Sequence, residues 1–112
     1  MAYEVHLKEF DGPLDLLLHL IEQAKVNIKD IFISEITNQY LSLMEELDEL
    51  DMDTASEFLT MAATLVYIKS RSLLPKPPKE AEEEEYPEEA LVRQLKEYKL
   101  FKQAGEKLNE LS

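Results

Sequence analysis

The chain has 112 residues, no cysteine and a formal net charge of −12 from 24 acidic and 12 basic side chains. This length suits one domain with a modest core, and the missing cysteines exclude disulfides, zinc fingers and thiol nucleophiles. The acidity and the lack of a lysine and arginine stripe argue against direct binding of nucleic acid, and no apolar run is long enough to span a membrane. We expect a soluble cytoplasmic protein that holds no metal or other cofactor.

The N-terminal residues predict a short extended segment. Tyr3, Val5 and Leu7 alternate with polar residues, which is the pattern of a half-buried strand. No second strand is evident in the sequence. We therefore expect the segment to lie extended over the helices rather than to add to the sheet of a partner.

The first helix is predicted over 13–25. Asp11 or Gly12 can cap its start, and Pro13 suits its first turn. Its apolar residues cover more than one side of the helix, and they are Leu14, Leu16, Leu17, Leu18, Leu20 and Ile21. His19 stands among them without a ligand or catalytic partner at a suitable spacing, so we interpret it as a structural or surface residue.

A short irregular link over 26–34 leads to a second predicted helix near 34–49, which Ser34 would cap. Apolar residues recur along this helix at helical spacing, and they are Ile36, Tyr40, Leu43, Leu47 and Leu50. The helix runs into an acidic segment over 45–53. The carboxylates there lack the glycine and the downstream glutamate of a calcium loop, so we interpret the segment as a solvated helix end.

The third helix, predicted over 54–73, has more apolar surface than one core contact needs. Thr54 and Glu57 match a capping box, and Pro75 forbids continuation of the helix. One apolar stripe consists of Phe58, Met61, Leu65 and Ile68, and a second stripe beside it consists of Leu59, Ala62, Ala63, Val66 and Leu73. The bulkier first stripe suits the core of the domain itself.

The second side of this helix admits two interpretations. It can lie in the core of a small bundle, as most apolar faces do, or it can bind a helix of a partner. The partner-binding strip that we favour consists of Leu59, Ala63, Val66, Tyr67 and Ser70. The small side chains in this strip would let a partner helix approach closely.

After the third helix, the segment over 76–88 is rich in proline and glutamate, and we expect it to be an extended tether. A fourth helix is predicted near 88–109. The residues on one face of it are Leu91, Leu95 and Tyr98. The predicted organisation is an all-α three-helix bundle over 1–75, the tether, and a fourth helix within 89–112 that leads to a partner-binding region.

Three separated strings carry a resemblance to a known family. They are FDGPLDLLLHLI at 10–21, DIFISEITNQYL at 30–41 and FLTMAATLVYIKSRSLLP at 58–75. With these strings the chain resembles the N-terminal domain of bacterial segregation and condensation protein A, the kleisin of the SMC condensin complex. The strings stand in the family's order, and the resemblance extends over nearly the whole chain. It is a resemblance to the N-terminal half of the family only, so we do not expect the family's C-terminal winged-helix domain in these residues.

The resemblance implies a non-enzymatic subunit that helps to close an SMC ring in chromosome condensation and segregation. Its third helix would pack on the coiled-coil neck next to the head of one SMC ATPase, and the missing C-terminal domain would cap the other head. The region after the tether would lead into a segment embraced by a dimer of segregation and condensation protein B. The implied location is the cytoplasm, at the nucleoid, through the SMC complex.

An enzyme and a self-associating adaptor are the two alternatives to a kleisin subunit. An enzyme is disfavoured, because Glu35, Glu45 and Glu57 lie at predicted helix starts or solvated faces, without a glycine-rich phosphate loop or a nucleophile beside a base. A self-associating helical adaptor is the stronger rival, since two copies of the third helix could cover each other's surplus apolar face.

Overall fold

The computed structural model describes residues 5–33, 35–72 and 86–111, and every regular element in these ranges is helical. The α-helices are α1 (Pro13–Ala24), α2 (Ile36–Leu43), α3 (Met52–Ser72) and α4 (Pro87–Leu111). Short 3-10 helices span Leu7–Glu9, Ile28–Ile33 and Met44–Glu49. The all-α fold expected from the sequence is therefore confirmed.

Some sequence predictions concern residues outside the described ranges. They include the cap proposed at Ser34, the start of the strand-like pattern at Tyr3, and the tether up to residue 85. The last residues assigned to the tether, Pro87 and Glu88, form the first turn of α4.

The N-terminal segment is extended only in part. His6 has β backbone angles (φ −118°, ψ 133°), but Leu7–Glu9 form a single 3-10 turn. Leu7 is fully buried against the core. Among the described residues no strand lies beside this segment, so a turn that satisfies backbone groups locally replaces the strand geometry.

Helix α1 begins and ends close to the predicted positions. Gly12 is the N-cap, and Pro13 takes the first helical position, where its missing N–H removes no bond within the helix. At the other end Lys25 adopts the left-handed conformation (φ 58°, ψ 36°). Its N–H donates to the carbonyls of Ile21 and Glu22, at 3.0 and 3.3 Å, and this pattern ends the helix.

Helix α2 is shorter than the prediction over 34–49. The α-helix ends at Leu43, and Met44–Glu49 continue as a 3-10 helix in which four of the six residues are acidic. Carboxylates crowded at a helix C-terminus repel one another and the negative end of the helix dipole. Turns of 3-10 helix are frequent at the C-termini of α-helices.

Helix α3 begins at Met52, earlier than predicted, because Asp51 caps it. The N–H of Thr54 donates to Oδ1 of Asp51 at 3.1 Å. The capping box predicted at Thr54 and Glu57 is therefore wrong. Thr54 already lies inside the first turn, where a carboxylate upstream of it accepts a charge-assisted hydrogen bond. The hydrogen bonds from Thr54 lower the pKa of Asp51.

The core is centred on α1, which packs against α2, α3 and α4. The buried apolar residues of α1 are Leu16, Leu17, Leu18, Leu20 and Ile21. Across the core, the hydroxyl of the fully buried Tyr40 in α2 donates to the carbonyl of Phe58 in α3 at 2.8 Å. Burial raises the pKa of the Tyr40 hydroxyl, which keeps it a donor.

The first half of α4 belongs to the same core. Leu91 and Leu95 are buried with the core residues of the other helices. Further along, Nζ of Lys102 lies 2.5 Å from Oδ1 of Asp15 on α1, and the Asp15 side chain is only 8% exposed. Helix α4 therefore docks on α1 and on the 3-10 helix Ile28–Ile33, a placement that the sequence left undecided.

Truncation of Leu95 tests whether α4 is part of the cooperative fold. We predict that Leu95→Ala lowers the free energy of unfolding by about 2 to 5 kcal/mol, because it leaves a cavity at a fully buried site. The control Leu108→Ala, at an exposed position of the same helix, should change it by less than about 0.5 kcal/mol. Urea denaturation followed by circular dichroism measures both. Equal midpoints for the two variants would show that α4 does not stabilise the fold.

The cap at Asp51 predicts a pH dependence. Because the folded-state pKa of Asp51 is lowered, its charged cap stabilises the fold above the unfolded-state pKa of about 4, and this contribution is lost as the pH falls through the lowered value. Asp51→Asn keeps a capping residue but removes the titration. We predict that the wild-type chain is the more stable near neutral pH and that the difference shrinks in acid. Urea denaturation across this pH range measures the difference, and a constant value would contradict the assignment.

Candidate partner-binding face

Helix α3 divides its side chains between two surfaces. Phe58, Leu65 and Ile68 are buried in the core, and Met61 is partly buried against it. The sequence assigned these four residues to the core, and the structure confirms that assignment. The inner side of α3 is thus occupied by the chain's own helices.

The second stripe of the sequence analysis needs one correction. Ala62 is buried, with 5% of its surface exposed, and belongs to the core. At about 100° per residue, Ala62 lies only about 40° around the helix axis from Phe58, so it falls on the inner side. Leu73, also placed in that stripe, lies outside the described residues.

The opposite side of α3 is open to solvent. All five residues predicted to bind a partner lie on it, and we call this strip the α3 outer face: Leu59, Ala63, Val66, Tyr67 and Ser70. The large members, Leu59, Val66 and Tyr67, expose 56%, 48% and 54% of their surface. The strip covers an arc of about 100° and a length of about 17 Å. These dimensions fit one helix-to-helix contact.

The polar residues beside the α3 outer face are already hydrogen-bonded within the chain. The hydroxyl of Thr60 donates to the carbonyl of Ser56 at 2.8 Å, and the hydroxyl of Thr64 donates to the carbonyl of Thr60 at 3.2 Å. Nζ of Lys69 donates to Oδ1 of Asn38 at 2.8 Å. A partner that covered the face would therefore leave none of these hydroxyl donors unsatisfied.

Arg71 connects the end of the α3 outer face to the start of α4. Its guanidinium carbon lies 5.7 Å from the ring centroid of Tyr67 and 5.1 Å from that of Tyr86. Each such cation–π contact contributes about 0.5 to 1 kcal/mol at an exposed site. Tyr86 therefore lies at the rim of the face. Tyr86 falls inside the acidic segment that was expected to be a tether, so it was not among the predicted binding residues. An aromatic side chain in such a polar segment is nevertheless a sign of a contact.

A second exposed apolar strip runs along the end of α4. Leu100, Phe101 and Leu108 expose 67%, 75% and 68% of their surface, and Ala104 is also exposed. At about 100° per residue these side chains lie on the side of the helix opposite Leu95. We call them the α4 outer strip.

The described residues show no arrangement typical of a metal site. Within residues 5–33, 35–72 and 86–111, no three or more histidine and carboxylate side chains are grouped so that they could hold an ion. His19 instead packs on the ring of Phe10, with 5.1 Å between centroids. Among the described helices, none combines the length and the hydropathy that a membrane crossing needs.

The chain is similar to a set of curated proteins. A family model described as segregation and condensation protein ScpA matches residues 20–112. Segregation and condensation protein A of Bacillus licheniformis is 49% identical, over 98% of this chain and 46% of its own length. The protein of the same name from Listeria innocua is 52% identical, over 93% of this chain and 44% of its own length. The chain spans about half the length of the curated relatives that it matches.

The two sides of α3 should respond differently to substitution. We predict that Val66→Glu changes the free energy of unfolding by less than about 0.5 kcal/mol, because the new carboxylate stays in water. Leu65→Ala, one residue away but fully buried, should lower it by about 2 to 5 kcal/mol. Thermal and urea denaturation of the isolated chain compare the two. If both variants lose the same stability, the inner and outer sides are wrongly assigned.

Proposed function

The chain belongs to the segregation and condensation protein A family, and from that premise we propose that it is the N-terminal part of a kleisin subunit in chromosome condensation and segregation. In this proposal the chain performs no catalysis of its own and supplies binding surfaces. The ATPase chemistry belongs to an SMC partner, and the complex acts in the cytoplasm at the nucleoid.

The α3 outer face is the observation that carries this proposal. We assign to it the coiled-coil neck next to the head of an SMC ATPase. A two-helix neck presents grooves between its side chains, into which the ridge formed by Leu59, Val66 and Tyr67 can insert. Ala63 and Ser70 are small enough to let the helix axes approach.

The magnitudes indicate that the complete interface is wider than this face. Full burial of a large apolar side chain contributes about 1.5 to 3 kcal/mol, and about half the surface of Leu59, Val66 and Tyr67 is already covered, so together they contribute about 2 to 5 kcal/mol. Association costs about 4 to 15 kcal/mol in lost translational and rotational freedom. Arg71 and Tyr86, which lie at the end of the face, could extend it.

The end of α4 is assigned to a second partner. In our proposal the α4 outer strip leads the chain into a segment bound by a dimer of segregation and condensation protein B. Lys102 contacts Asp15 of α1, and beyond Lys102 the side chains of Ala104 and Leu108 are exposed. A kleisin that held an SMC neck at α3 and this dimer after α4 would link the two partners. The C-terminal half of the kleisin would then bind the other head and close the ring.

Self-association is the competing proposal. An apolar strip with small residues near its centre can pair with its own copy across a two-fold axis. Light scattering of the isolated chain distinguishes the proposals. A monomer supports binding of the α3 outer face to another protein. A dimer that Val66→Glu abolishes supports the homodimeric adaptor.

The binding test combines one substitution on the face with one away from it. Val66→Glu would bury an unpaired carboxylate in the complex, at a cost of several kcal/mol, so we predict a loss of affinity for an SMC head and neck of about a hundredfold or more. Gln23→Glu adds the same charge at an exposed position of α1 and should bind like the wild type. Co-elution and isothermal titration with the purified SMC head and neck provide the readout. Wild-type affinity of Val66→Glu would contradict the assignment of the face.

A further inference from the structure

A basic groove lies between the end of α1 and the middle of α4, and none of its lining residues belongs to α3. It has a volume of about 780 Å³, and the lysines that line it are Lys25, Lys29, Lys96 and Lys99. The chain has only 12 basic residues and a net charge of −12. A third of its positive side chains therefore gather at one groove, although the chain as a whole is acidic.

These four lysines make no close ion pair within the described residues, although Glu88, Glu89 and Glu97 line the adjoining pocket that Lys29 and Lys96 share. Their neighbours on α4 do make ion pairs. Nη1 of Arg93 lies 3.5 Å from Oε1 of Glu97, and Nζ of Lys102 lies 2.5 Å from Oδ1 of Asp15. Glu22 is the acidic residue that also lines the groove. Positive charges held together in this way repel one another, and an anionic ligand would relieve that repulsion.

Part of the lysine cluster has a simpler explanation. Lys25 lies at the C-terminus of α1, where a positive charge interacts favourably with the helix dipole. Lys96 and Lys99 belong to α4, so the position of Lys25 at the end of α1 does not explain why these two lysines also lie at the groove without an ion pair. The groove therefore holds more positive charge than the end of α1 needs.

The groove also has apolar lining, which distinguishes between anionic ligands. Ile21 is buried, Val26 is partly buried, and Leu100 exposes 67% of its surface. Duplex DNA would meet these side chains with a polar phosphate backbone, and the net charge of the chain would repel it. A peptide in which carboxylates flank large apolar side chains matches both the lysines and the lining.

We propose that this groove binds an acidic segment of a partner protein, whose carboxylates pair with the lysines and whose apolar side chains contact Val26 and Leu100. The binding does not depend on the α3 outer face. Because one wall of the groove comes from α1 and the other from α4, the site exists only while α4 is docked.

The first experiment tests the class of ligand. The probe is a short fluorescent peptide of glutamates and leucines, titrated with the 112-residue chain at physiological ionic strength and followed by fluorescence anisotropy. A peptide of glutamates alone, with equal net charge, should bind with an affinity at least about tenfold lower. A short DNA duplex should not bind. Failure of the first peptide to bind, equal affinity for both peptides, or preferential binding of the duplex would each overturn the proposal.

The second experiment locates the site. The pair Lys96→Glu and Lys99→Glu should weaken binding of the glutamate and leucine peptide by about tenfold or more. The matched pair Lys8→Glu and Lys107→Glu makes the same change in net charge at exposed positions outside the groove, and it should change the affinity by less than about twofold.

Thermal unfolding of both pairs checks the fold. If the first pair unfolds the chain, Lys96→Gln with Lys99→Gln takes its place, with the corresponding glutamines at the control positions. Equal losses of affinity in the groove pair and the control pair would show that net charge alone attracts the peptide, and the proposed site would be wrong.

Discussion

The structure depends on α3 having more apolar surface than the other helices of the chain can bury. Phe58, Leu65 and Ile68 fill the space that the neighbouring helices leave. Leu59 and Val66, on the other side of the same helix, stay about half exposed. Because the inner stripe anchors the helix, the outer one is held in a fixed conformation before any partner arrives. A preformed surface of this kind loses little conformational entropy when it binds.

Helix α4 has two roles along its length. Its first half supplies Leu91 and Leu95 to the core, and in its second half every described side chain from 99 to 110 is exposed. The contact between Lys102 and Asp15 lies within that second half and holds it near α1. Asp15 also accepts a hydrogen bond from the N–H of Asp11 at 3.1 Å, so one carboxylate ties together the start of α1 and the middle of α4.

The main features of α3 could be predicted because helical periodicity and side-chain bulk act locally. Other features depend on competition between similar patterns or on contacts distant in sequence. The sequence predicted a cap at Thr54, whereas in the structure Asp51, three residues earlier, accepts the hydrogen bond that caps the helix. Over six residues the α and 3-10 repeats differ little, so Met44–Glu49 gave no clear signal. Asp15 and Lys102 are 87 positions apart, and no local pattern links them.

The central claim is that the α3 outer face is free in the isolated chain and covered in the complex. Because the chain has no cysteine, a single introduced thiol reports that cover directly. Val66→Cys should react rapidly with a maleimide in the free chain. At saturating SMC head and neck the reaction should be at least about tenfold slower, since modification requires an accessible thiolate. Gln23→Cys should react at the same rate with and without the partner. If the thiol introduced at Val66 reacts equally fast in the saturated complex, the α3 outer face is not where the SMC neck binds.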